Sequence, residues 1–162
     1  RKGLESFVET ARSMPELAFA WFGYLIPTGG TLDRFLQSRR TRELVEQAPD
    51  NCTFTGYVED IRGAFAAGDI FFFPTKNENE GMALLEAMAC GKPPVVRDIP
   101  TFEWLEDGET ALKASTDFTE PLDRFKDPEL RERLGENAAE RSEDFTLEAI
   151  EDDLVELYER LV

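Results

Sequence analysis

Asp69-Ile70-Phe71-Phe72-Phe73-Pro74-Thr75-Lys76-Asn77-Glu78-Asn79-Glu80-Gly81-Met82-Ala83-Leu84-Leu85-Glu86-Ala87-Met88-Ala89-Cys90-Gly91-Lys92-Pro93-Pro94-Val95-Val96-Arg97 carries a change of pattern every few residues. The apolar runs at 69–73 and 94–97 are short, and they read as strands covered on both faces. Between them, 81–90 reads as a helix, with Gly91 as its C-terminal stop. Strand, loop, helix, strand is the repeating unit of a parallel sheet, because a parallel neighbour is reached only through a crossover.

The rest of the chain extends that unit. Leu4, Phe7, Val8 and Ala11 share one face of a helix over 3–13, stopped by Pro15. The run at 18–22 reads as a buried strand ended by Gly23. A loop through Pro27, Thr28, Gly29 and Gly30 leads to a helix over about 32–47. A short strand at 52–55, a helix at 61–67, a strand near 111–113 and helices near 128–140 and 147–161 complete the pattern. Strands alternating with helices over 162 residues predict one α/β domain with a parallel sheet and helices on both faces. Leu147, Ile150, Leu154, Leu157, Tyr158 and Leu161 recur at helical spacing, so the last helix is expected to pack against something. Residues 119–162 hold 15 acids against 6 bases, which reads as a solvated outer layer.

One residue in the central helix is out of place. Glu86 is the sole charge between Gly81 and Gly91, in a segment that reads as buried all round. A carboxylate in apolar surroundings costs several kcal/mol unless donors satisfy it. Sugar hydroxyls are such donors, and a carboxylate spanning a ribose is one solution. Backbone donors or Arg97 would serve as well. In an open α/β sheet, ligands bind beyond the carboxyl ends of the strands, and the loop 74–81 is such a place. Gly81 allows close approach to the backbone, and the N–H groups of Met82 and Ala83 suit phosphate oxygens. Glu78 and Glu80 near that helix start fit its dipole, but they would repel a diphosphate. Lys2 is a candidate to neutralise it, or is simply an exposed residue.

Composition narrows the partners. The formal net charge is -16, from 18 Lys+Arg against 34 Asp+Glu, which argues against a nucleic-acid backbone. Only 5 of the bases are Lys, and an acidic, lysine-poor surface suits high salt, where repulsion is screened. A halophilic source is expected, with an ordinary acidic cytosolic protein as the alternative. With 0 His, histidine catalysis and His-ligated zinc are excluded for this chain. Cys52 and Cys90 read as reduced core thiols of an intracellular protein. No apolar run is long enough to span a membrane.

Glu78, seven residues, then Glu86, running into Ala87-Met88-Ala89-Cys90-Gly91 and Pro94-Val95-Val96, resembles the donor-site motif of glycosyltransferase family 4 (group 1). These are retaining enzymes of the GT-B fold that use nucleotide-diphosphate sugars. Arg1-Lys2-Gly3-Leu4 looks like the basic motif opening that family's donor domain, and Phe54-Thr55-Gly56-Tyr57-Val58 like its base-binding loop. Glu106-Asp107-Gly108-Glu109-Thr110 and Phe145-Thr146 fit later turns. The resemblance covers nearly the whole chain and implies a Rossmann-like, C-terminal half of a GT-B enzyme. Its first strand and its N-terminal acceptor domain would then precede residue 1.

The resemblance also implies roles. Lys2 would contact the diphosphate and Glu78 would face the donor sugar, as the catalytic pair. Tyr57 and Val58, the latter through its backbone, would border the base. Gly81 and Met82 would offer N–H groups to phosphate, and Glu86 would hold the ribose. No metal and no cofactor beyond the nucleotide-sugar donor is implied, since positive charge and helix N–H groups would stabilise the leaving diphosphate. Arg97-Asp98-Ile99-Pro100-Thr101-Phe102 replaces the family's Gly-Gly turn before Glu103 and is two residues shorter. Val96-Arg97-Asp98-Ile99-Pro100 and Trp21-Phe22-Gly23 look most like the glycolipid glucosyltransferase branch. That implies a lipid or glycan acceptor and a cytoplasmic enzyme, peripheral at the inner membrane face. The alternatives are a non-catalytic nucleotide-sugar-binding module and a sugar-nucleotide epimerase of similar fold.

Overall fold

The computed structural model describes residues 2–25 and 32–161, with side chains at 32–38, 150, 152, 153, 156 and 161 outside the description. Arg1, the turn expected at 27–30, and the side chains of Ile150 and Leu161 therefore lie outside the described residues. The elements run α1 (Leu4–Ser13), β1 (Phe19–Phe22), α2 (Leu32–Glu46), β2 (Cys52–Gly56), α3 (Ile61–Ala66), β3 (Phe71–Phe73) and α4 (Met82–Ala89). They continue with β4 (Pro94–Arg97), a 3-10 turn (Pro100–Phe102), β5 (Leu112–Ala114), α5 (Thr119–Arg124), α6 (Pro128–Glu143) and α7 (Leu147–Leu161).

The strand pairs are parallel, as the crossover pattern requires, and form two sheets ordered β1-β2 and β3-β4-β5. In the larger sheet β4 is central and wholly buried. Alternation along it sends neighbouring side chains to opposite faces. Val95 joins Phe7, Val8, Leu112, Phe118 and Leu122 on the face covered by α1 and α5. Val96 joins Leu84, Met88, Phe102, Leu105 and Ala138 on the face covered by α4 and α6. Phe7 of α1 ties the two sheets together. Its ring meets Trp21 of β1 edge-on at 5.2 Å and stacks on Phe72 of β3 at 5.9 Å. The expected α/β arrangement, with helices on both faces, is present.

Several local expectations are corrected. Cys90 is exposed at the end of α4 and Cys52 is half-buried, where burial pushes its thiol upward. The Phe71 to Phe73 run is half-buried, with Phe72 on one face of its sheet and the other two rings on the opposite face. Short α5 was not anticipated, because Pro121 interrupts any helical spacing there. Nor does α7 find cover among the described residues: Leu147, Leu154, Leu157 and Tyr158 are exposed.

Candidate functional site

β3 delivers the chain to its carboxyl end at Phe73, and the loop 74–81 turns it into α4. Two glycines shape that passage. Gly81 caps α4 with φ +83, a left-handed conformation that costs a side-chain-bearing residue strain. A Cβ there would lie 3.0 Å from the Phe102 ring. Gly3 caps α1 with φ +82, and a Cβ on it would lie 2.1 Å from the Pro74 carbonyl oxygen. The start of α1 thus lies directly on the root of the loop.

That contact brings Lys2 to Glu78. The Lys2 ammonium donates to Glu78 Oε2 at 2.5 Å, with the Glu78 side chain 10% exposed and Lys2 half-exposed. The Asn79 N–H donates to Glu78 Oε1 at 3.2 Å, and Thr101 Oγ1 donates to the Glu78 carbonyl at 3.0 Å. Lys2 also stands 5.8 Å above the Phe73 ring. Lys2, Phe73, Glu78, Gly81, Met82 and Ala83 line a pocket of about 230 Å³, with Asn79 and Glu80 at its rim. The first bond within α4 runs from Leu84 N to Gly81 O, so the Met82 and Ala83 N–H groups precede it and face the pocket's end of the helix. The pocket therefore combines a cation, a carboxylate and a helix N-terminus, the elements needed to hold an anion beside a polyol.

A second ion pair anchors the same loop. Lys76 donates to Glu5 Oε2 at 3.0 Å, and Arg40 of α2 bonds the other Glu5 oxygen. Lys76, with Arg40 adding its charge, holds the Glu5 carboxyl below its usual range against the opposing effect of burial.

Glu86 is not where the sequence placed it. It is exposed, as are Met82, Ala83, Ala89 and Cys90, so α4 buries only the face of Leu84, Ala87 and Met88. Small alanines made an open face look like core. Nor does Glu86 pair with Arg97, which bonds Pro74, Ser115 and Ser6 instead. Glu86 lines a second, shallower groove of about 410 Å³ with Leu85, Ala89, Ser142, Phe145 and Thr146. Met82 lines both pockets and forms the ridge between them. Lys2, Glu78, Gly81 and Met82 are thus brought together, with Glu86 across the Met82 ridge.

Tyr57 and Val58 follow the carboxyl end of β2 and line neither pocket. Tyr57 is exposed and stacks on the exposed ring of Tyr24 at 5.6 Å, 13° from parallel. Sequence reasoning missed Tyr24, which lies in a loop without pattern. It also missed Thr101 and Phe102, although the shortened segment 97–103 had been singled out. That segment supports the site from behind, through the Thr101 bond to Glu78 and the Phe102 ring beneath Gly81.

Fold and site define the class first: a Rossmann-like α/β domain whose charged cluster lies beyond the carboxyl end of a parallel strand, at a helix N-terminus. The family follows. The model for "Glycosyl transferases group 1" matches residues 1–124, and the chain belongs to that family. It is 32% identical to a processive diacylglycerol alpha-glucosyltransferase of Acholeplasma laidlawii, over all of this chain and 48% of the relative. It is 27% identical to an alpha-galactosylglucosyldiacylglycerol synthase of Streptococcus pneumoniae, over 99% of this chain and 43% of that protein. Among solved structures it is similar to Anabaena Alr3699/HepE in complex with UDP, with a TM-score of 0.82 at 19% identity, covering 98% of this chain and 45% of that one. Sucrose-phosphate synthase from Thermosynechococcus elongatus gives 0.76 at 26% identity, covering 99% and 42%. The chain spans about half the length of the curated relatives it matches. The expected GT-B type of half-fold is borne out by these neighbours.

Proposed function

We propose that this chain is the donor-binding half of a retaining glycosyltransferase that moves a sugar from a nucleotide-diphosphate donor to an acceptor held by a second domain. The observation that carries the reading is the Lys2–Glu78 pair at the mouth of the α4 pocket. Each partner suits one part of a nucleotide sugar, the ammonium its diphosphate and the carboxylate its hydroxyls. Donor entry separates them. The diphosphate then lies against Lys2 and the N–H groups of Met82 and Ala83, which take up the charge that develops as the sugar leaves. Glu78, released, orients the sugar. Glu86, across Met82, holds the ribose, and the Tyr57 ring with the Val58 backbone borders the base. No metal takes part in this reading.

The sheet supports a larger protein. β1 and β3 share no ladder among the described residues, yet both pack on Phe7. A further parallel strand, from sequence outside this chain, would join the two sheets. The diacylglycerol in both relatives' names favours a glycolipid acceptor, and a cytoplasmic enzyme working at a membrane surface goes with that reading. No described helix is long and apolar enough to cross a membrane. The acidic surface suits a high-salt interior.

Calorimetric titration with UDP, GDP, ADP and their sugars tests the donor site; UDP comes first because the HepE structure holds it. Absence of binding by all three nucleotides in the full-length protein would sink the reading. Binding without sugar transfer to any lipid or glycan acceptor would leave a non-catalytic module.

A further inference from the structure

Arg97 is the sole buried charged side chain among the described residues, 9% exposed at the carboxyl end of β4. Its contacts are all with neutral groups. Nε donates to the Pro74 carbonyl at 3.3 Å, one terminal nitrogen to the Ser115 carbonyl, and the other to Ser6 Oγ at 2.8 Å. Its guanidinium lies 5.0 Å from the centre of the Phe118 ring. No carboxylate pairs with it among the described residues. That is unexpected in a chain with 34 acids to draw on. A buried ion without a counter-ion is costly, and an apolar side chain of similar size would be more stable there. Burial accordingly lowers the Arg97 pKa, although the group stays protonated.

The three acceptors explain where the charge is directed. Pro74 begins the loop that carries Glu78, and Gly3 lies on the same Pro74 carbonyl. Ser6 belongs to the first turns of α1, four residues after Lys2. Arg97 therefore joins the two segments that form the pocket, without lining it, and no carboxylate among the described residues pairs with its charge.

We propose that Arg97 is a positioning residue and internal counter-charge for the donor diphosphate: it fixes the loop root against α1, and the bound diphosphate supplies the negative charge missing from its surroundings. This rests on the donor-site reading above. Arg97 does not line the pocket, so the buried guanidinium would attract the diphosphate through the intervening protein without touching it. The segment 97–103 then owes its departure from a glycine turn to a different way of supplying positive charge.

The test uses the full-length enzyme, with Arg97→Met and Arg97→Lys. Each is titrated with UDP, GDP and ADP and with the matching nucleosides, and donor KM and kcat are measured. Arg97→Met is expected to bind the diphosphate about tenfold more weakly, with nucleoside binding unchanged. Arg97→Lys keeps the charge but not the fork, so diphosphate affinity is expected to recover to within about threefold while kcat stays low. The inference is overturned if Arg97→Met binds diphosphate like the parent, or loses nucleoside equally. It is overturned too if Arg97→Lys binds as poorly as Arg97→Met. Should Arg97→Met fail to fold, Arg97→Lys alone decides by the same criterion; failure of both to fold assigns Arg97 to stability and overturns the inference. A parent that binds none of the nucleotides overturns the donor-site reading instead.

Discussion

The Lys2 ammonium and the Glu78 carboxylate, 76 residues apart in sequence, meet at 2.5 Å on the wall of one pocket. The pair makes each residue the other's competitor for ligand. On the proposed reading a diphosphate would displace Glu78 from Lys2, and part of its binding energy would go into separating them. In the full-length enzyme Lys2→Met is expected to weaken nucleoside-diphosphate binding about tenfold. Glu78→Gln should do the reverse, tightening bare diphosphate a few-fold at low salt while lowering kcat about a hundredfold. Calorimetry and initial rates check both. Equal weakening by the two substitutions would make the pair a strut rather than a gate.

Glu86 stands exposed on its groove, and this sets a cleaner expectation than a buried carboxylate would. Glu86→Ala is expected to leave the unfolding free energy within about 0.5 kcal/mol of the parent. Nucleotide and nucleotide sugar should both lose roughly 1.5–3 kcal/mol of binding, the scale of hydrogen bonds to a charged group. Unaltered nucleotide affinity would remove Glu86 from the site.

Three glycines with positive φ rank by what surrounds them. A Cβ at Gly3 meets the Pro74 carbonyl at 2.1 Å, one at Gly81 meets the Phe102 ring at 3.0 Å, and one at Gly91 meets nothing within 4 Å. All three substitutions to Ala carry left-handed strain of about 1–2 kcal/mol. Gly3→Ala adds a backbone clash, Gly81→Ala only a shift of an aromatic ring. Denaturant midpoints should therefore fall most for Gly3→Ala, less for Gly81→Ala and least for Gly91→Ala. Any other order contradicts the packing at the loop root.

The sequence was most informative where one pattern had one cause. The apolar run ending at Val96 is a wholly buried strand, as its unbroken pattern implies, and Gly81 and Gly91 punctuate α4 because left-handed positions select glycine. It misled where composition stood in for geometry. Ala83, Ala89 and Cys90 look like core residues, but they form the open face of α4. The resemblance set Lys2 and Glu78 at one site, but their direct ion pair was not legible, since nothing local links residues so far apart. The 97–103 segment was recognised as unusual, yet its support of Glu78 through Thr101 depends on a three-dimensional return that no spacing encodes.

Glu5 supplies a pH signature. Its carboxyl lies below the ordinary value of 4.5, chiefly through the hydrogen bond from Lys76, then through the charges of Lys76 and Arg40. A lowered folded-state pKa means the stabilisation is fully present above the unfolded value and is lost as pH falls through the folded one. Glu5→Gln should cost about 1 kcal/mol or less near neutrality, as partly exposed pairs do. That difference from the parent should shrink as pH falls below the ordinary value of 4.5 and vanish only once pH has passed below the folded-state pKa. Thermal melts of both proteins across pH 3 to 7, roughly the range over which carboxylates titrate, provide the check. A difference that persists into acid would place the effect of Glu5 elsewhere than in its charge.

Salt acts on this protein in two opposing ways. The formal charge of -16 favours expansion of the folded chain, and added ions relieve that repulsion. The same ions weaken exposed pairs such as Lys126–Glu16, Arg133–Glu109 and Arg39–Glu43. Such solvent-exposed pairs contribute little even before screening, so little is lost. Repulsion among a large excess of acids extends over the whole surface, and at ~1 M salt the screening length shrinks to about 3 Å. Relief of repulsion should therefore win, and Tm should rise from low to molar KCl. Acid-rich 119–162, with 15 acids against 6 bases, should gain most, visible as rising hydrogen-exchange protection in α6. A Tm that stays flat or falls over that range would show that the acidic surface is ordinary and not an adaptation to high salt.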